Sequence, residues 1–418
     1  MTDLIKRGTV SVLLTTLASA CMFTELGEDL DKLEDISHLY TGTVSSDVLQ
    51  FHSTIVVALE DSQAERITSF RMLAGSGVFE IRTEKKPKYF FAFADMNKDL
   101  RFQTDEPYGW AANAQAVTPR GQATDGVDIR IEPQTSAMYP QALVGEPLEN
   151  HLNNYARSHI GTVSSLDDPL FSNRQGKKGL WAPFAFMEDG GTGLHFLQPY
   201  DASKTPVLFV HGINGAPQDF SSLIDQIDKT RFQAWVLSYP SGLRLSWLAR
   251  GMFQFVEVLH RQYGFEELHI VAHSMGGLVS RGSLNLCAEN GTCEYLRSYT
   301  TISTPWNGVA FAQSGVRYAP EVVPVWHDLY PDSEYLTTLF NTPLPQNVPH
   351  YLLFGFLQDS ISAESSDGVI PLSSQLRRAA QDQATSVRGF DEGHVSILHS
   401  HDVIENVNSV LLSTRQSR

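Results

Sequence analysis

The sequence has few cysteines and no excess of positive charge. These two features exclude several classes of function before any motif is considered. Its 418 residues include 3 cysteines, 31 lysines and arginines, and 47 aspartates and glutamates, so the formal net charge is -16. Nucleic-acid binding needs a basic face that contacts phosphates, so we do not expect this acidic chain to bind DNA or RNA. The cysteines lack C-x-x-C spacing, which argues against a redox motif or a zinc site built on them.

The sequence also lacks an apolar run of about 20 residues, which is the length that a transmembrane helix needs. Its amino terminus carries a shorter stretch, VSVLLTTLASA, which follows Lys6 and Arg7. A basic start, a short apolar stretch and small residues predict a signal peptide over residues 1–20. The stretch continues to Cys21 as LASAC, which resembles the lipobox of bacterial lipoproteins, although its leucine lies one position further out than in the commonest form. Ordinary secretory cleavage beside a cysteine is the alternative.

The lipobox resemblance implies a location in the bacterial cell envelope. Cys21 would become the first mature residue and carry acyl chains, holding the protein on a membrane, on the outer-membrane or periplasmic side, with the acidic residues 21–39 as a polar tether. In an oxidising compartment Cys287 and Cys293, which bracket the segment CAENGTC, can close a short disulfide. Two reduced thiols are the alternative.

The hydrophobic pattern changes near residue 150, which predicts two domains. Over residues 40–150, short runs such as STIVVALE, SGVFEIRT and KYFFAFAD are separated by polar or turn-forming stretches, which predicts an antiparallel β-sandwich. Over residues 194–418, buried strands such as PVLFVHG alternate with amphipathic helices, which predicts a mostly parallel sheet with helices on both faces. Residues 151–193 are polar and contain glycines, so we interpret them as a linker that packs against both parts.

One segment of the β-rich half has the spacing of a calcium-binding loop. In DMNKDLRFQTDE, the first, third, fifth and twelfth positions of an EF-hand-like loop are Asp95, Asn97, Asp99 and Glu106. Leu100 stands at the sixth position, where such a loop needs glycine for its sharp turn, and the flanking segments have strand patterns. The sequence therefore favours a hairpin turn rich in Asp and Asn, and a structural calcium ion is the alternative.

The segment ELHIVAHSMGG predicts a nucleophilic serine. It is a buried apolar strand that reaches Ser274 and is followed by the helix-like stretch LVSRGSLNL. A nucleophile elbow turns from strand to helix at a strained serine, and the residues two positions before and after the serine must be small. Ala272 and Gly276 meet that requirement. Glycines that merely let a helix pack closely after a strand are the alternative.

A serine of this kind needs a histidine that accepts its proton and an acid that orients the histidine. Both follow later in the chain, on loops after apolar strands. The acid candidate is Asp367 in SDGVIP, and its competitor is Asp359, which lies nearer the end of the preceding strand. The base candidate is His394 in DEGHVSIL, ahead of His399 and His401, because it directly precedes the apolar start of the closing helix.

The stretch PVLFVHGING predicts donors for a developing oxyanion. Its strand ends in His211-Gly212-Ile213, where glycine lets the backbone approach a substrate oxygen. Preorganised N–H groups at such a point lower the energy of a tetrahedral intermediate. We expect the backbone amides of Ile213 and Met275 to be these donors, and we interpret His211 and His273 as packing residues around the site.

Residues 194–418 contain four motifs in a fixed order: H-G, A-H-S-M-G-G, S-D-G-V-I-P and G-H-V-S-I-L. This order resembles that of the motifs in the α/β-hydrolase superfamily. Within it the motifs are similar to the lipase-like branch, which includes bacterial lipases and the inositol deacylases of glycolipid anchors. The resemblance implies an α/β-hydrolase fold, a catalytic triad of Ser274, Asp367 and His394, and a mechanism that requires no cofactor or metal. Residues 310–346 would form a cap insertion that lines an acyl pocket, and ordinary core packing of its apolar residues is the alternative.

The predicted function is hydrolysis of carboxylic esters, with lipid or acyl esters as substrates, by an enzyme held at a membrane surface. The same machinery serves other acyl transfers, so a thioesterase or an amidase is the alternative. A non-catalytic surface lipoprotein, which would use the hydrolase scaffold as a binding face, is the alternative from a different class of protein.

Overall fold

The computed structural model describes most of the chain, namely residues 22–33, 38–46, 53–62, 66–83, 86–112, 126–133, 138–148, 159–358 and 365–413. The predicted signal peptide, the predicted lipidation site Cys21 and the competing acid Asp359 lie outside these residues. The described part contains three β-sheets, and the largest of them carries helices on both faces.

Seven strands of the amino-terminal part form two small sheets. They are β1 (His38–Ser45), β2 (Thr54–Leu59), β3 (Ile67–Leu73), β4 (Gly77–Thr83), β5 (Tyr89–Ala94), β6 (Tyr108–Ala112) and β7 (Val127–Arg130). One sheet has the order β4-β1-β7 and the other the order β3-β2-β5-β6. All neighbouring strands are antiparallel except β1 and β7, which pair in parallel. The predicted sandwich is therefore present, with one parallel pair that the pattern of short runs did not indicate.

The four-stranded sheet is buried on both of its faces. Val56 and Phe90 pack against the three-stranded sheet. Ile55 and Phe91, on the opposite face, belong to the main core shared with the carboxyl-terminal part. Neighbouring side chains of a strand point to opposite faces of the sheet. A strand in a sheet buried on both sides therefore has a continuous apolar sequence, such as YFFAFA in β5.

The large sheet has eight strands. They are β8 (His159–Val163), β9 (Gly193–Phe196), β10 (Thr205–Val210), β11 (Phe232–Ser238), β12 (Leu268–His273), β13 (Leu296–Ile302), β14 (His350–Phe356) and β15 (Ser386–Asp391). Their order is β15-β14-β13-β12-β10-β11-β9-β8, and all pairs are parallel except β11 and β9. The carboxyl ends of β10 and of β12 to β15 therefore meet at one edge of the sheet, which we call the active-site edge.

Helices connect these strands and cover both faces of the large sheet. They are α1 (residues 22–33), α2 (Asn173–Trp181), α3 (Pro183–Glu188), α4 (Ser221–Gln226), α5 (Leu245–Tyr263), α6 (Met275–Asn290), α7 (Ala310–Tyr318), α8 (Trp326–Leu329), α9 (Glu334–Thr338), α10 (Leu372–Gln375), α11 (Arg378–Asp382) and α12 (His401–Ser413). Helices α5 and α6 bury Met252 and Leu278 on one face, and α4 and α12 bury Leu223 and Val407 on the other. Within the described ranges, no helix is both long and apolar enough to cross a membrane.

The segment predicted as a linker, 151–193, is more than a connection. It contains β8, which pairs with β9 at the end of the large sheet, together with α2 and α3. Strand β8 has the sequence HIGTV, and none of its residues is fully buried. An edge strand needs only one partner and can keep exposed polar residues, so its pattern resembles a loop.

The acidic segment 21–39 is not a loose tether over residues 22–33, where the prediction was wrong. These residues form α1, whose Leu26 is 0% exposed and whose Asp29 is 4% exposed. Phe23, Leu26, Leu30 and Leu33 are spaced so that they fall on one helical face, whereas Glu25, Glu28 and Asp31 are exposed. The high count of acidic residues obscured this helical period.

Helix α5 joins the four-stranded sheet to the large one. Gln254 donates a hydrogen bond from Nε2 to the carbonyl oxygen of Phe70 at 3.2 Å. Arg261 lies 3.8 Å from the carboxylate of Glu257 and 4.0 Å from that of Asp95 across the junction. Because the paired charges are buried, removing one partner would leave the other uncompensated, so these contacts fix the register of the two parts.

The buried imidazole of His269 in β12 makes stability depend on pH. Burial, and then the charge of Arg297, lower its pKa to about 3, and it hydrogen-bonds to Ser298 Oγ at 2.7 Å. The unfolded chain takes up a proton at the ordinary histidine pKa of about 6.5, so this residue costs stability as the pH falls below that value. His269→Gln lacks this cost. As the pH is lowered from about 7.5 to about 5, its free energy of unfolding minus that of wild type should therefore increase by about 2 kcal/mol.

Urea unfolding at both pH values measures this difference. The control variant is His401→Gln, because His401 is exposed, and it should follow the wild-type pH dependence. Parallel pH profiles for His269→Gln and wild type would contradict the assignment of a neutral buried imidazole.

Candidate active site

Ser274 stands in a sharp turn between β12 and α6. Its backbone has φ 52° and ψ -129°, a conformation that non-glycine residues rarely adopt. The turn fits because its surroundings are small: a Cβ atom at Gly276 would clash with the carbonyl oxygens of Val210 and His211. Ser274 N still donates to Ile302 O at 2.8 Å, so the sheet ladder holds the turn in place. This is the local geometry expected of a nucleophile elbow.

Three side chains from different loops form a continuous chain of hydrogen bonds. Ser274 Oγ lies 2.9 Å from Nε2 of His394. On the other side of the same ring, Nδ1 of His394 lies 2.7 Å from Oδ2 of Asp367. The structure thus brings together the three residues that the motifs predicted as nucleophile, base and acid, although they are far apart in the chain.

The carboxylate of Asp367 is held in its ionised form. Burial opposes ionisation, but the hydrogen bond and charge of His394 and the backbone amides of Ile370 and Val369 outweigh it, so the pKa of Asp367 lies below its usual value. Oδ1 accepts from these amides at 2.7 Å and 3.0 Å, which leaves Oδ2 for the histidine. A fixed anion at Nδ1 favours the tautomer in which Nε2 is free to accept a proton from Ser274.

The backbone of His394 is held from both sides. Its N–H donates to Asp367 O at 2.8 Å, and its carbonyl oxygen accepts a hydrogen bond from Nε2 of His273 at 2.8 Å. Burial and then the charge of His394 lower the pKa of His273 to about 3, so this ring is neutral at physiological pH. His273, which the sequence suggested only as a packing residue, therefore links the serine turn directly to the loop that carries the base.

The glycine turn after β10 lies against Ser274. A Cβ atom at Gly212 would come within 2.8 Å of Ser274 Cβ, so only glycine allows this approach. Ile213 follows in the turn, and Met275 is the first residue of α6, where the backbone amide has no partner inside the helix. Both amides predicted as oxyanion donors are thus carried by segments that border the serine.

His211 shapes this turn rather than taking part in proton transfer. Its ring stacks on Tyr239 with centroids 4.1 Å apart, and the Tyr239 hydroxyl donates to the His211 carbonyl oxygen. Burial lowers the pKa of His211 to about 4. This neutral, stacked ring matches the packing role inferred from the sequence.

The competing bases have other partners. His399 Nδ1 lies 2.8 Å from Ser222 Oγ. His401 lies on α12, 3.3 Å from the carboxylate of Glu405. Neither ring is joined to Ser274, whereas that of His394 is.

The cap insertion follows the loop after β13 and contains α7, α8 and α9. It is tied to the start of α5 because Arg244 donates to the buried carboxylate of Asp328 at 2.7 Å to 3.0 Å. The apolar residues predicted to line an acyl pocket all belong to the main core or pack against it: Val323, Trp326, Leu329, Tyr330, Tyr335, Leu336 and Phe340. Core packing, the alternative reading of this pattern, therefore accounts for their contacts.

The calcium-like loop is stabilised by its own hydrogen bonds. Asp95 accepts from the amides of Asp99 and Leu100, and Glu106 accepts from those of Met96 and Gln103. Leu100 adopts φ 57°, the conformation for which glycine was expected at this position. Across the described residues, no group of three or more acidic, histidine or cysteine side chains is arranged to hold a metal ion.

The two remaining cysteines are joined. Cys287 and Cys293 form a disulfide with their Cα atoms 5.4 Å apart, at the end of α6 and the start of a short turn. The bond closes the segment predicted from its spacing, and Cys287 lies near the end of α6, the helix that begins directly after Ser274.

The fold agrees with a comparison against known families. Residues 247–414 match a family described as an alpha/beta hydrolase of unknown function, DUF915. The carboxyl-terminal part of the chain has the α/β-hydrolase fold. The segment matched by this family includes the serine turn, the acid and the histidine loop.

Individual relatives of the chain are distant. The lysosomal thioesterase PPT2 of Rattus norvegicus is 27% identical over 155 residues, which cover 36% of this chain and 43% of the thioesterase, so the match spans less than half of that relative. The mature lipase BlEst2 of Bacillus licheniformis is 16% identical with a TM-score of 0.41, covering 52% of this chain and 97% of the lipase. Lipase B of Aspergillus fumigatus is 13% identical with a TM-score of 0.41, covering 54% and 57% of the two chains.

The hydrogen bond from His273 should affect the reactivity of Ser274. His273→Leu removes the donor that holds the His394 carbonyl, so we expect labelling of Ser274 by a fluorophosphonate to slow about 10-fold or more. His273→Gln keeps an N–H donor and should recover part of the rate. The second-order rate constant of labelling is the measurement.

His399→Gln serves as the control, because it changes a nearby histidine that is bonded elsewhere, and its labelling rate should equal that of wild type. If His273→Leu and His399→Gln label equally fast, the bond to the His394 carbonyl does not position the base.

Proposed function

We propose that the protein hydrolyses carboxylic esters through an acyl-enzyme on Ser274. The observation that carries this proposal is the hydrogen-bonded chain from Ser274 through His394 to Asp367, at distances of 2.9 Å and 2.7 Å. Each member meets a separate need of acyl transfer: a nucleophile, a proton acceptor and a group that orients the acceptor.

The first half of the reaction forms the acyl-enzyme. Ser274 Oγ attacks the ester carbonyl carbon while Nε2 of His394 takes the serine proton. The carbonyl oxygen becomes an oxyanion, which the amides of Ile213 and Met275 stabilise. The intermediate then collapses, the bond to the alkoxy group breaks, and the proton on His394 passes to the leaving alcohol.

The second half repeats these steps with water. His394 takes a proton from a water molecule that attacks the acyl carbon, the same amides hold the oxyanion, and the bond to Ser274 Oγ breaks. Ser274 recovers its proton from His394, and the acid leaves. The ionised Asp367 stabilises the positive charge on His394 in both halves, and no metal or other cofactor enters the sequence of steps.

We propose lipid or acyl esters as the substrate class. Two features support it: the motifs that resemble lipases and the predicted lipidation site at Cys21, which would hold the enzyme where lipid esters are concentrated. The mechanism itself does not select the leaving group, because an alcohol, a thiol or an amine can depart from the same intermediate.

A thioesterase is the second candidate function. It is favoured by the 27% identity with a mammalian lysosomal thioesterase, over 36% of this chain. The rates of hydrolysis of an oxygen ester and of a thioester with the same acyl chain distinguish the two candidate functions, because these substrates differ only in the atom that leaves.

The catalytic assignment predicts that Ser274→Ala is inactive. The variant should lose fluorophosphonate labelling, and its kcat on p-nitrophenyl esters should fall by about 10³-fold or more. Asp367→Asn should keep the serine but lower kcat by about 10²-fold to 10⁴-fold, because the histidine loses its orienting charge. Steady-state kinetics with short and long acyl chains measure both effects and the chain-length preference.

A matched control is Ser203→Ala, which changes an exposed serine bonded to Asp201 far from the triad in sequence. Hydrolysis and labelling that persist at wild-type levels in Ser274→Ala would reject Ser274 as the nucleophile. The absence of both from the wild-type protein would favour the non-catalytic binding lipoprotein instead.

We also propose that lipidation at Cys21 holds the protein in the bacterial cell envelope. Cys21→Ser removes the thiol that would carry the acyl chains, so the protein should leave the detergent-soluble membrane fraction and lose incorporation of a radiolabelled fatty acid. Cell fractionation followed by immunoblotting measures this. Unchanged fatty-acid labelling in Cys21→Ser would show that Cys21 is not the modified residue.

A further inference from the structure

Helix α2 contains two glycines three residues apart, Gly176 and Gly179, in the sequence NRQGKKGLW. Glycine in the interior of a helix is less stable than alanine, so each of them weakens α2 unless its surroundings require it. Residues three positions apart share one face of a helix, and both glycines are buried. This face of α2 therefore lets another segment of backbone approach closely.

The backbone that approaches Gly176 belongs to the turn after β10. It comprises residues 212–216, which we call the oxyanion turn because it carries Ile213. A Cβ atom at Gly176 would clash with the carbonyl oxygen of Gly215 and lie 3.0 Å from that of Asn214. Helix α2 and the oxyanion turn are thus in direct backbone contact, and a larger residue at position 176 would displace one of them.

The oxyanion turn is confined between α2 and Ser274. Gly215 N donates to Gly212 O at 3.2 Å, which closes the turn. At its other end, a Cβ atom at Gly212 would come within 2.8 Å of Ser274 Cβ. Ile213 lies between these two glycines, so a displacement of Gly215 would shift the Ile213 amide relative to Ser274.

A hydroxyl group in the loop after β11 supports the same turn. Asn214 has φ 59°, and its amide donates to Ser241 Oγ at 3.1 Å. Ser241 is 1% exposed, and the next residue, Gly242, donates from its amide to Gly179 O at 2.9 Å. Helix α2 therefore supports the oxyanion turn twice, directly at Gly176 and through the loop that carries Ser241.

Helix α2 is in turn held by its neighbours in the chain. Its Trp181 ring lies 5.3 Å from the Phe23 ring of α1 in an edge-on contact. The carboxylate of Asp29 in α1 accepts from two backbone amides of α3 at 2.7 Å and 2.9 Å. These helices and the oxyanion turn all precede residues 247–414, the segment that the family match covers. The support of the turn is thus a feature of this chain that the match does not describe.

We propose that Gly176 and Ser241 are positioning residues for the reaction, through which α2 sets the place of the Ile213 amide relative to Ser274. This inference rests on the proposed esterase function. It assigns a part in the reaction to the segment predicted as a linker. A preorganised donor is effective only where it is aimed at the developing oxyanion, so a small displacement of the turn should weaken binding of the transition state more than binding of the substrate.

Gly176→Ala tests the direct contact. Its kcat on p-nitrophenyl butyrate should fall about 10-fold or more, with KM within about 2-fold of wild type. A trifluoromethyl ketone forms a hemiketal oxyanion with the serine, so its Ki should rise by the same factor by which kcat/KM falls. The matched control is Gly251→Ala in α5, where a Cβ atom would meet none of the described atoms within 4 Å, and it should keep the wild-type values.

Ser241→Ala tests the second support without adding an atom. It removes the acceptor of the Asn214 amide, so kcat should fall about 3-fold to 10-fold and the Ki of the ketone should rise in parallel. The control is Ser280→Ala, which removes a buried hydroxyl that has no hydrogen-bond partner in the described part of the chain. Both constants should stay at their wild-type values in the control.

The endpoint of fluorophosphonate labelling separates positioning from loss of folded protein, because it counts the Ser274 sites that can react. The inference expects a wild-type endpoint together with a raised Ki. A lowered endpoint with an unchanged Ki would show a purely structural role and overturn the inference.

The remaining outcomes distinguish this inference from the proposed function. Wild-type kcat and Ki in Ser241→Ala and in a folded Gly176→Ala would overturn the inference and leave the esterase assignment intact. If Gly176→Ala does not fold, Ser241→Ala decides alone. Wild-type protein that neither hydrolyses the ester nor reacts with the fluorophosphonate would instead reject the proposed function itself.

Discussion

The strained turn at Ser274 is the constraint on which the rest of the site depends. A serine at φ 52° costs about 1–3 kcal/mol, and it persists only where the surroundings leave no cheaper conformation. Here the constraint comes from neighbouring strands, because Ser274 N is bonded to Ile302 O, and from the glycines at 212 and 276, which allow β10 to approach. The neighbouring strand ends similarly: Ser303 has φ 50°, and its amide donates to Leu353 O at 2.9 Å. The large core of the sheet is what stabilises two such turns side by side.

Around this turn, the protein separates neutral from ionised groups. The rings of His211 and His273 are kept neutral by burial, which lowers their pKa values to about 4 and about 3. The carboxylate of Asp367 is buried too, yet its pKa is lowered because hydrogen bonds to the charged form outweigh burial. A single fixed negative charge therefore faces His394 from one side, and a neutral donor holds its backbone from the other. In such an environment, proton transfer from Ser274 requires little rearrangement of the surrounding dipoles.

The triad and the fold class could be predicted from sequence because each depends on local patterns. Buried runs predicted β10 to β14, and small residues at fixed distances from Ser274 identified the turn. The order of motifs then indicated Asp367 and His394, although sequence alone could not exclude His399. That choice depends on which loop reaches Ser274, and the loop is positioned by long-range contacts such as His273 to His394 O, which no local pattern encodes.

The segments that sequence described poorly are those whose residues have mixed polarity. Strand β8 was interpreted as a linker because an edge strand exposes polar side chains, and α1 as a tether because its acidic residues are as numerous as the apolar ones on its buried face. In both cases composition was a weaker guide than spacing. Asp29 is the clearest example: its charge predicts exposure, yet it is 4% exposed because two backbone amides at the start of α3 satisfy it.

The position of α1 is fixed by packing against the cap and its neighbours. A short helix cannot bury enough surface to stay folded in isolation, so its order depends on the aromatic pocket of Trp181 and Trp326. Trp326 in turn packs against Gly315 of α7, whose exposed face carries Phe311 and Tyr318. The first residues after Cys21 and the cap therefore share one set of contacts, and a change that loosens either of them should loosen the other.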